Sequence, residues 1–224
     1  GAGQMRGADG TVRLFYNFGD TATPNKNGRL KEIRDRNDNF MSFRYEKIDP
    51  DDNDNDGNPA TSPNGDEKFV LAYVVDTLGR EIRYQYYAKT AQTQGGRTVT
   101  VADASTGKWG RLARVQDFKG NMDFTGTAEA EDFAGQVNNR TLFFDYDSES
   151  NLVRASGPAV GGTPNANDFA NGKTDRYKYY TSSQHPGFTQ AQWDALTQSQ
   201  RDRLLHKLTH IWYPNEVRNS PATD

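Results

Sequence analysis

Apolar and polar residues alternate with a period of two over much of this chain. Met41, Phe43 and Tyr45 alternate with Ser42, Arg44 and Glu46, which predicts a half-buried β-strand. Ile82, Tyr84 and Tyr86 alternate in the same way with Arg83 and Gln85. Val99 and Val101, then Leu142, Phe144 and Tyr146, then Tyr177 and Tyr179, mark further strands. Phe69-Val70-Leu71-Ala72-Tyr73-Val74-Val75 is apolar throughout, and predicts a strand covered on both faces. Between these runs lie Leu78-Gly79, Asn37-Asp38-Asn39 and Lys119-Gly120-Asn121, residues that tolerate positive φ and reverse a strand into its antiparallel neighbour. Only one region reads as helical. Thr189-x-x-Gln192 and Thr197-x-x-Gln200 each fit a capping box, and predict short helices near 190–196 and 198–208. Trp193 and Leu196 share a face of the first, and Leu204, Leu205 and Leu208 line the second.

The strand pattern repeats as a sentence. Gly28-Arg29-Leu30-Lys31-Glu32-Ile33-Arg34-Asp35-Arg36-Asn37-Asp38-Asn39 recurs as Gly110-Arg111-Leu112-Ala113-Arg114-Val115-Gln116-Asp117-Phe118-Lys119-Gly120-Asn121. Weaker copies keep parts of it. Asp76-Thr77-Leu78-Gly79-Arg80 leads into Glu81-Ile82-Arg83-Tyr84, and Tyr146-Asp147 precedes Ser150-Asn151, which stands where Gly-Arg stood elsewhere. His206-Lys207-Leu208-Thr209-His210-Ile211 imitates the pattern near the end. About five units recur, a spacing compatible with repeats that carry insertions, and such units stack because none buries its own apolar face alone. The pattern resembles the RHS or YD-repeat family, whose signature is Tyr-Asp-x-x-Gly-Arg-Leu followed by Ile-x-Asp-x-x-Gly-Asn.

Composition narrows the picture. Only 33% of residues are hydrophobic, which suits a thin wall of sheet better than a thick closed core, and aromatics at 12% supply large buried areas per residue. The net charge of −3 comes without a basic arm, which argues against nucleic-acid binding, since phosphate contacts need clustered Lys and Arg. No apolar run approaches the roughly 20 residues of a membrane helix. The chain has no cysteine, so thiolate zinc sites, disulfides and a thiol nucleophile are excluded. The N-terminus lacks a signal peptide's apolar segment, and reads as a loop or as the start of an excised fragment.

Few constellations carry chemistry. Asp52-x-Asp54-x-Asp56-Gly57 sets oxygen ligands at alternating positions before a glycine, as a curling calcium loop requires. Pro63 occupies position twelve, where an EF-hand has its acid, and Asp66 or Glu67 is the later carboxylate available. The same run also fits a solvated acidic hairpin tip. His206 and His210 lie four apart, a spacing that serves a metal on a helix, but no Glu follows His206 and the helical pattern ends nearby, so the pair reads as surface residues at a helix-to-strand junction. Asp35, Asp117 and Asp147 recur once per unit beside turn residues, so they are expected to bond local backbone amides rather than act as a catalytic pair. Arg29, Arg80 and Arg111 are expected to partner acids or aromatic rings on the sheet. No Gly-x-Ser-x-Gly and no phosphate loop occurs. Trp109, Trp193 and Trp212 are the residues to watch for a sugar-stacking surface.

The resemblance implies an all-β fold, an antiparallel β-hairpin YD-repeat spiral forming a shell segment, with a small two-helix insertion. It sets a flexible segment at residues 1–12, the repeat sheet at 13–218 with insertions at about 49–67, 157–175 and 184–208, and a tail at 219–224. Family shells in bacterial polymorphic toxins and insecticidal toxin complexes enclose a toxic segment, and the similar shell of teneurins belongs to an adhesion ectodomain. No Asp-Pro-x-Gly self-cleavage motif is present, because Asp49-Pro50-Asp51 lacks the glycine. The expected role is therefore a non-enzymatic wall of a secreted or cell-surface bacterial protein. Its partners are the rest of the same polypeptide, an enclosed toxin segment or a surface glycan or protein, with calcium as the candidate ion. The competing reading is an adhesion or carbohydrate-binding repeat module.

Overall fold

A computed structural model describes residues 3–19, 26–53, 58, 67–117, 141–158, 160, 168–169, 172–180 and 189–214. They fall into two compact units, one through Asp117 and one from Leu142 onward, with Thr141 counted to the first. Both are built mostly from antiparallel sheet.

In the first unit, β1 (Gln4–Arg6), β2 (Val12–Phe15), β3 (Leu30–Arg34), β4 (Phe40–Ile48), β5 (Lys68–Asp76) and β6 (Glu81–Ala88) pair in sequence order. A small hairpin of β7 (Thr93–Gln94) and β8 (Arg97–Thr98) follows, then β9 (Thr100–Ala102) and β10 (Leu112–Gln116). β10 closes on β6 antiparallel, whereas β9 runs parallel to the far half of β6. Gln4–Arg6, assigned by sequence to a flexible segment, is instead paired residue for residue with Val12–Leu14. The hairpins β1–β2, β3–β4 and β5–β6 turn within five residues at one rim. The described ends of the longer connections, 16–19 with 26–29 and 49–53 with 67, lie at the other. Insertions therefore accumulate at the rim that the repeated turns do not occupy.

β-Bulges decide which residues are covered. Tyr45 pairs with Leu71 after Arg44 pairs with Tyr73, which leaves Ala72 as an extra residue and changes the alternation. On β4, whose own alternation the bulge does not interrupt, the covered face is the opposite of the expected one: Met41 is 43% exposed, while Ser42 is 5% and Ile48 0% exposed. On β6 the polar positions are the covered ones, with Arg83 8% and Gln85 1% exposed, while Ile82, Tyr84 and Tyr86 are half-buried. The reason is that segment 89–100, itself polar, lies over that face. The apolar core is small. Ile48, Ala72 and Val99 form it, with Val70, Tyr73 and Tyr86 packed around them. Tyr86 donates its hydroxyl to the Leu71 carbonyl at 3.0 Å and its backbone N–H to Val99 at 3.1 Å. These bonds stitch β9 and its lead-in between β5 and β6 where those strands diverge.

In the second unit, β11 (Thr141–Tyr146), β12 (Leu152–Ser156), β13 (Thr174–Tyr179) and β14 (Leu208–Trp212) form an antiparallel meander. Two helices, α1 (Gln190–Asp194) and α2 (Gln198–Leu205), precede β14. Both capping boxes form: the Thr189 and Thr197 side chains accept from the Gln192 and Gln200 N–H groups, and each glutamine side chain accepts from its cap's N–H. α2 ends three residues short of the expected 208, because Leu208 already pairs with Tyr179. Trp193 is 2% exposed, the anchor of its helix.

Candidate functional site

The residues the sequence singled out build one device several times over. In Asp35–Asn39, the Asp35 N–H donates to the Asn39 carbonyl at 2.9 Å and the Asp38 N–H returns to the Asp35 carbonyl at 3.2 Å. Asp38 sits at φ 63°. The Asp35 carboxylate accepts from the N–H groups of Asn37 and Asn39 at 2.7 and 2.9 Å and from the Asn39 side-chain amide at 2.8 Å. Asp76–Arg80 repeats this: Gly79 takes the left-handed place at φ 76°, and Asp76 accepts from the N–H groups of Leu78 and Arg80 at 2.9 and 3.0 Å and from Arg80 Nε at 2.6 Å. Asp147–Asn151 repeats it again, with Ser150 at φ 68° and Asp147 accepting the Asn151 N–H and side-chain amide at 2.8 and 2.9 Å. This is the three-residue hairpin loop, a tight turn followed by a left-handed residue. The Tyr-Asp-x-x-Gly-Arg half and the Asp-x-x-Gly-Asn half of the repeated sentence thus make the same turn. Gly7–Thr11 has its backbone bonds too, at 2.7 and 3.1 Å, but glycine stands where the others carry aspartate.

The rest of the motif distributes around these turns. Gly28 and Gly110 lie at φ 71° and 75°, ahead of Leu30 and Leu112, which begin β3 and β10. Arg29 seats its guanidinium 5.1 Å from the Tyr45 ring centroid and donates to the Phe69 carbonyl at 2.8 Å. Arg80 pairs with Asp76, so one arginine takes a ring and another an acid, as expected. The Arg111 side chain is exposed, and its backbone carbonyl accepts from the Tyr87 N–H at 2.8 Å. Tyr146 ends β11, and Asp117 directly follows β10. Gly120 and Asn121 lie outside the described residues.

These bonds favour the ionised carboxylates. The Asn39 side chain, followed by the Asn37 and Asn39 amides, holds Asp35 below its ordinary value, and Arg80 does the same for Asp76. A depressed folded pKa contributes stability that is complete above the unfolded value, about 4. It is lost as pH falls through the folded value. We expect urea unfolding of the first unit to weaken steadily on acidification below about pH 4, and Asp76→Asn to flatten that slope. An unchanged slope in the variant would contradict the assignment.

The acidic loop begins inside the protein. Asp49 and Asp52 are both fully buried. Asp52, at φ 39°, donates its N–H to Asp49 Oδ1 at 3.1 Å and accepts the Thr90 hydroxyl at 2.5 Å. The Gln92 side chain, also fully buried, accepts the Asp49 N–H at 3.0 Å and donates its amide to the Asp49 carbonyl. Asp52 is therefore a strut of the loop base in this structure. Asp54, Asp56 and Asp66 lie outside the described residues, and the neighbouring Glu67 pairs with Lys47. Among the described residues no three acids or histidines gather as metal ligands do.

A polar cluster that sequence reading missed lies under segment 89–100. Glu81 is clasped by Arg83 at 2.5 Å and by Arg97 at 2.8 and 2.9 Å, and the Arg97 guanidinium stands 4.3 Å from the Tyr73 ring centroid. Burial would raise the Glu81 pKa, but the bonds from Arg97 and Arg83 outweigh it and hold the carboxyl below its ordinary value. Gln85 donates to the Thr98 carbonyl at 2.8 Å and accepts from Arg114 Nε. A carboxylate held ionised between two guanidiniums is a clamp, not a proton acceptor. The signal available was the Arg-x-Gln alternation on β6, which reads as a solvent face until the covering segment is known.

The histidines do not share a helix face. His206 caps α2 and its Nδ1 lies 2.6 Å from Asn151 Oδ1, while His210 stands on β14, its ring stacked 5.4 Å from that of Trp212. His185 lies outside the described residues. Of the tryptophans, Trp193 is buried, Trp109 donates its indole N–H to the Asp103 carbonyl at 2.7 Å, and Trp212 is half-buried beside exposed Tyr213. No protein-family model matches this chain, and no curated protein matches it.

Proposed function

We propose that this chain is a structural segment of a secreted or cell-surface bacterial RHS/YD-repeat protein, a length of β-hairpin spiral that helps enclose or present a toxin or effector segment. The role is architectural rather than catalytic. The observation that carries it is the recurrent turn, in which Asp35, Asp76 and Asp147 each bond their own loop. An aspartate spent in this way sets hairpin geometry, and hairpins of one geometry stack side by side. No helix among the described residues is long and apolar enough to cross a membrane. The test is electron microscopy of the full parent polypeptide, with limited proteolysis of the segment downstream. A hollow β-walled particle that protects that segment is expected; a solid globule, or equal digestion with and without the wall, refutes the reading.

The adhesion or carbohydrate-binding alternative is favoured by one feature, the His210–Trp212 stack on β14 with Tyr213 62% exposed beside it. Glycan-array binding abolished by Trp212→Ala would select it. A calcium role for Asp52 with Asp54, Asp56 and Asp66 requires Asp52 to release Thr90, and a calorimetric titration without heat at millimolar calcium would remove it.

A further inference from the structure

We infer that the face of the first unit carrying Lys26, Arg29 and Lys31 is a docking strip for an extended acidic polypeptide segment with carboxylates at alternating positions. Each of the three cations is seated on an aromatic ring: Lys26 at 5.6 Å from the Phe69 centroid, Arg29 at 5.1 Å from Tyr45, and Lys31 at 5.9 Å from Tyr16. The Tyr16 and Tyr45 rings meet edge to face at 6.0 Å, so Arg29 and Lys31 share one aromatic floor, and Arg29 reaches the Phe69 carbonyl beside the ring under Lys26. Nearby described acids are already committed, Glu32 to Arg34, Asp35 to its own turn, and Glu67, two residues before Phe69, to Lys47. Among the described residues no carboxylate reaches these three. Arg29 spends one of its five N–H donors on the Phe69 carbonyl. Among the described residues the result is a local surplus of positive charge on a chain whose net charge is −3.

Ring seating fixes these side chains before any ligand arrives, which lowers the entropy cost of binding. Spacing selects the ligand. Arg29 and Lys31 are two residues apart along an extended backbone, about 7 Å, which is the repeat of same-side residues in an extended peptide. An acidic peptide with every second residue Asp can set successive carboxylates against them, whereas Asp at every third residue alternates between the two sides of an extended chain and cannot.

The experiment uses the full chain and a fluorescent peptide of alternating Asp and Ser, with a second peptide holding the same number of Asp at every third residue and a heparin oligosaccharide as comparison. Anisotropy at low and high salt reads the affinity. The alternating peptide binds the native chain and is released by salt. The Lys26→Gln/Lys31→Gln double variant binds it roughly fivefold more weakly, the effect of two exposed charge pairs. Neither lysine side chain bonds backbone among the described residues, so the urea midpoint stays unchanged and a folding defect is distinguishable. Absence of binding at low salt, equal binding by the variant, equal binding of the peptide with Asp at every third residue, or tighter binding of the oligosaccharide each overturns the inference.

Discussion

Gly172→Ala is expected to unfold the second unit, or to cost it about 4 kcal/mol or more, the range reserved for severe backbone conflict. Gly172 follows the long connection between β12 and β13 at φ 79°, and a Cβ built there lands on the Gly157 carbonyl oxygen, with the Gly157 carbonyl carbon at 2.9 Å. Both obstacles are backbone and cannot swing aside. To make room, the end of β12 must part from the start of β13. That movement breaks the Gly157 N–H to Lys173 carbonyl bond at 2.8 Å and the buried Ser156–Thr174 hydroxyl pair at 2.9 Å. Gly95→Ala is the control. Gly95 also has positive φ, 56°, but nothing lies within 4 Å of its added Cβ, so only left-handed strain of about 1–2 kcal/mol remains. Equal losses for the two variants in chemical denaturation would show that the close approach at Gly172 is not there.

Gln92→Leu is the second large effect. The substitution nearly preserves volume, so it isolates hydrogen bonding. Gln92 spans both backbone groups of Asp49 and in turn donates its own N–H to the Thr100 hydroxyl at 2.7 Å. Leucine keeps the last bond and removes the two that its side chain supplied. Each buried backbone group deprived of such a partner costs about 1–3 kcal/mol, so a loss of roughly 3 kcal/mol in the first unit follows. The 49–53 loop base would also gain hydrogen-exchange rate at Asp49. A loss under half a kilocalorie per mole, about that of an ordinary surface change, would mean the loop base is held by something else.

These predictions come from places of unequal visibility in the sequence. The turns were legible because their chemistry is local: aspartate, a left-handed residue and a terminal Asn or Arg lie within five positions. Ser150 could be placed in the glycine role by alignment alone, and its φ of 68° agrees. The capping boxes were legible for the same reason. Strand facing was not. A single bulge at Ala72 changes the alternation of β5, and period-two patterning marks neither where an extra residue enters nor which of two faces a later segment covers. The polar cover of Gln85 and Arg114 was also hidden, since it depends on a segment that returns over the sheet from 13 residues away, Thr98 to Gln85. Val99 and Val101 mark β9 in the sequence, but its parallel pairing with β6 was not legible, because it breaks the antiparallel rhythm of the neighbouring strands. His206 and His210 stand at the helix-to-strand junction that their sequence context suggests, because the helix stops at Leu205 and β14 pairing takes over.

The most direct test of the turn account is a pair of opposite substitutions in one turn, Asp147→Ala and Ser150→Gly, each followed by denaturation of the second unit. If Asp147 locks the loop and Ser150 bears left-handed strain, alanine at 147 destabilises by about 1–2 kcal/mol, and glycine at 150 stabilises by roughly half to one kcal/mol. Two neutral results, or stabilisation by Asp147→Ala, would contradict an aspartate placed for geometry.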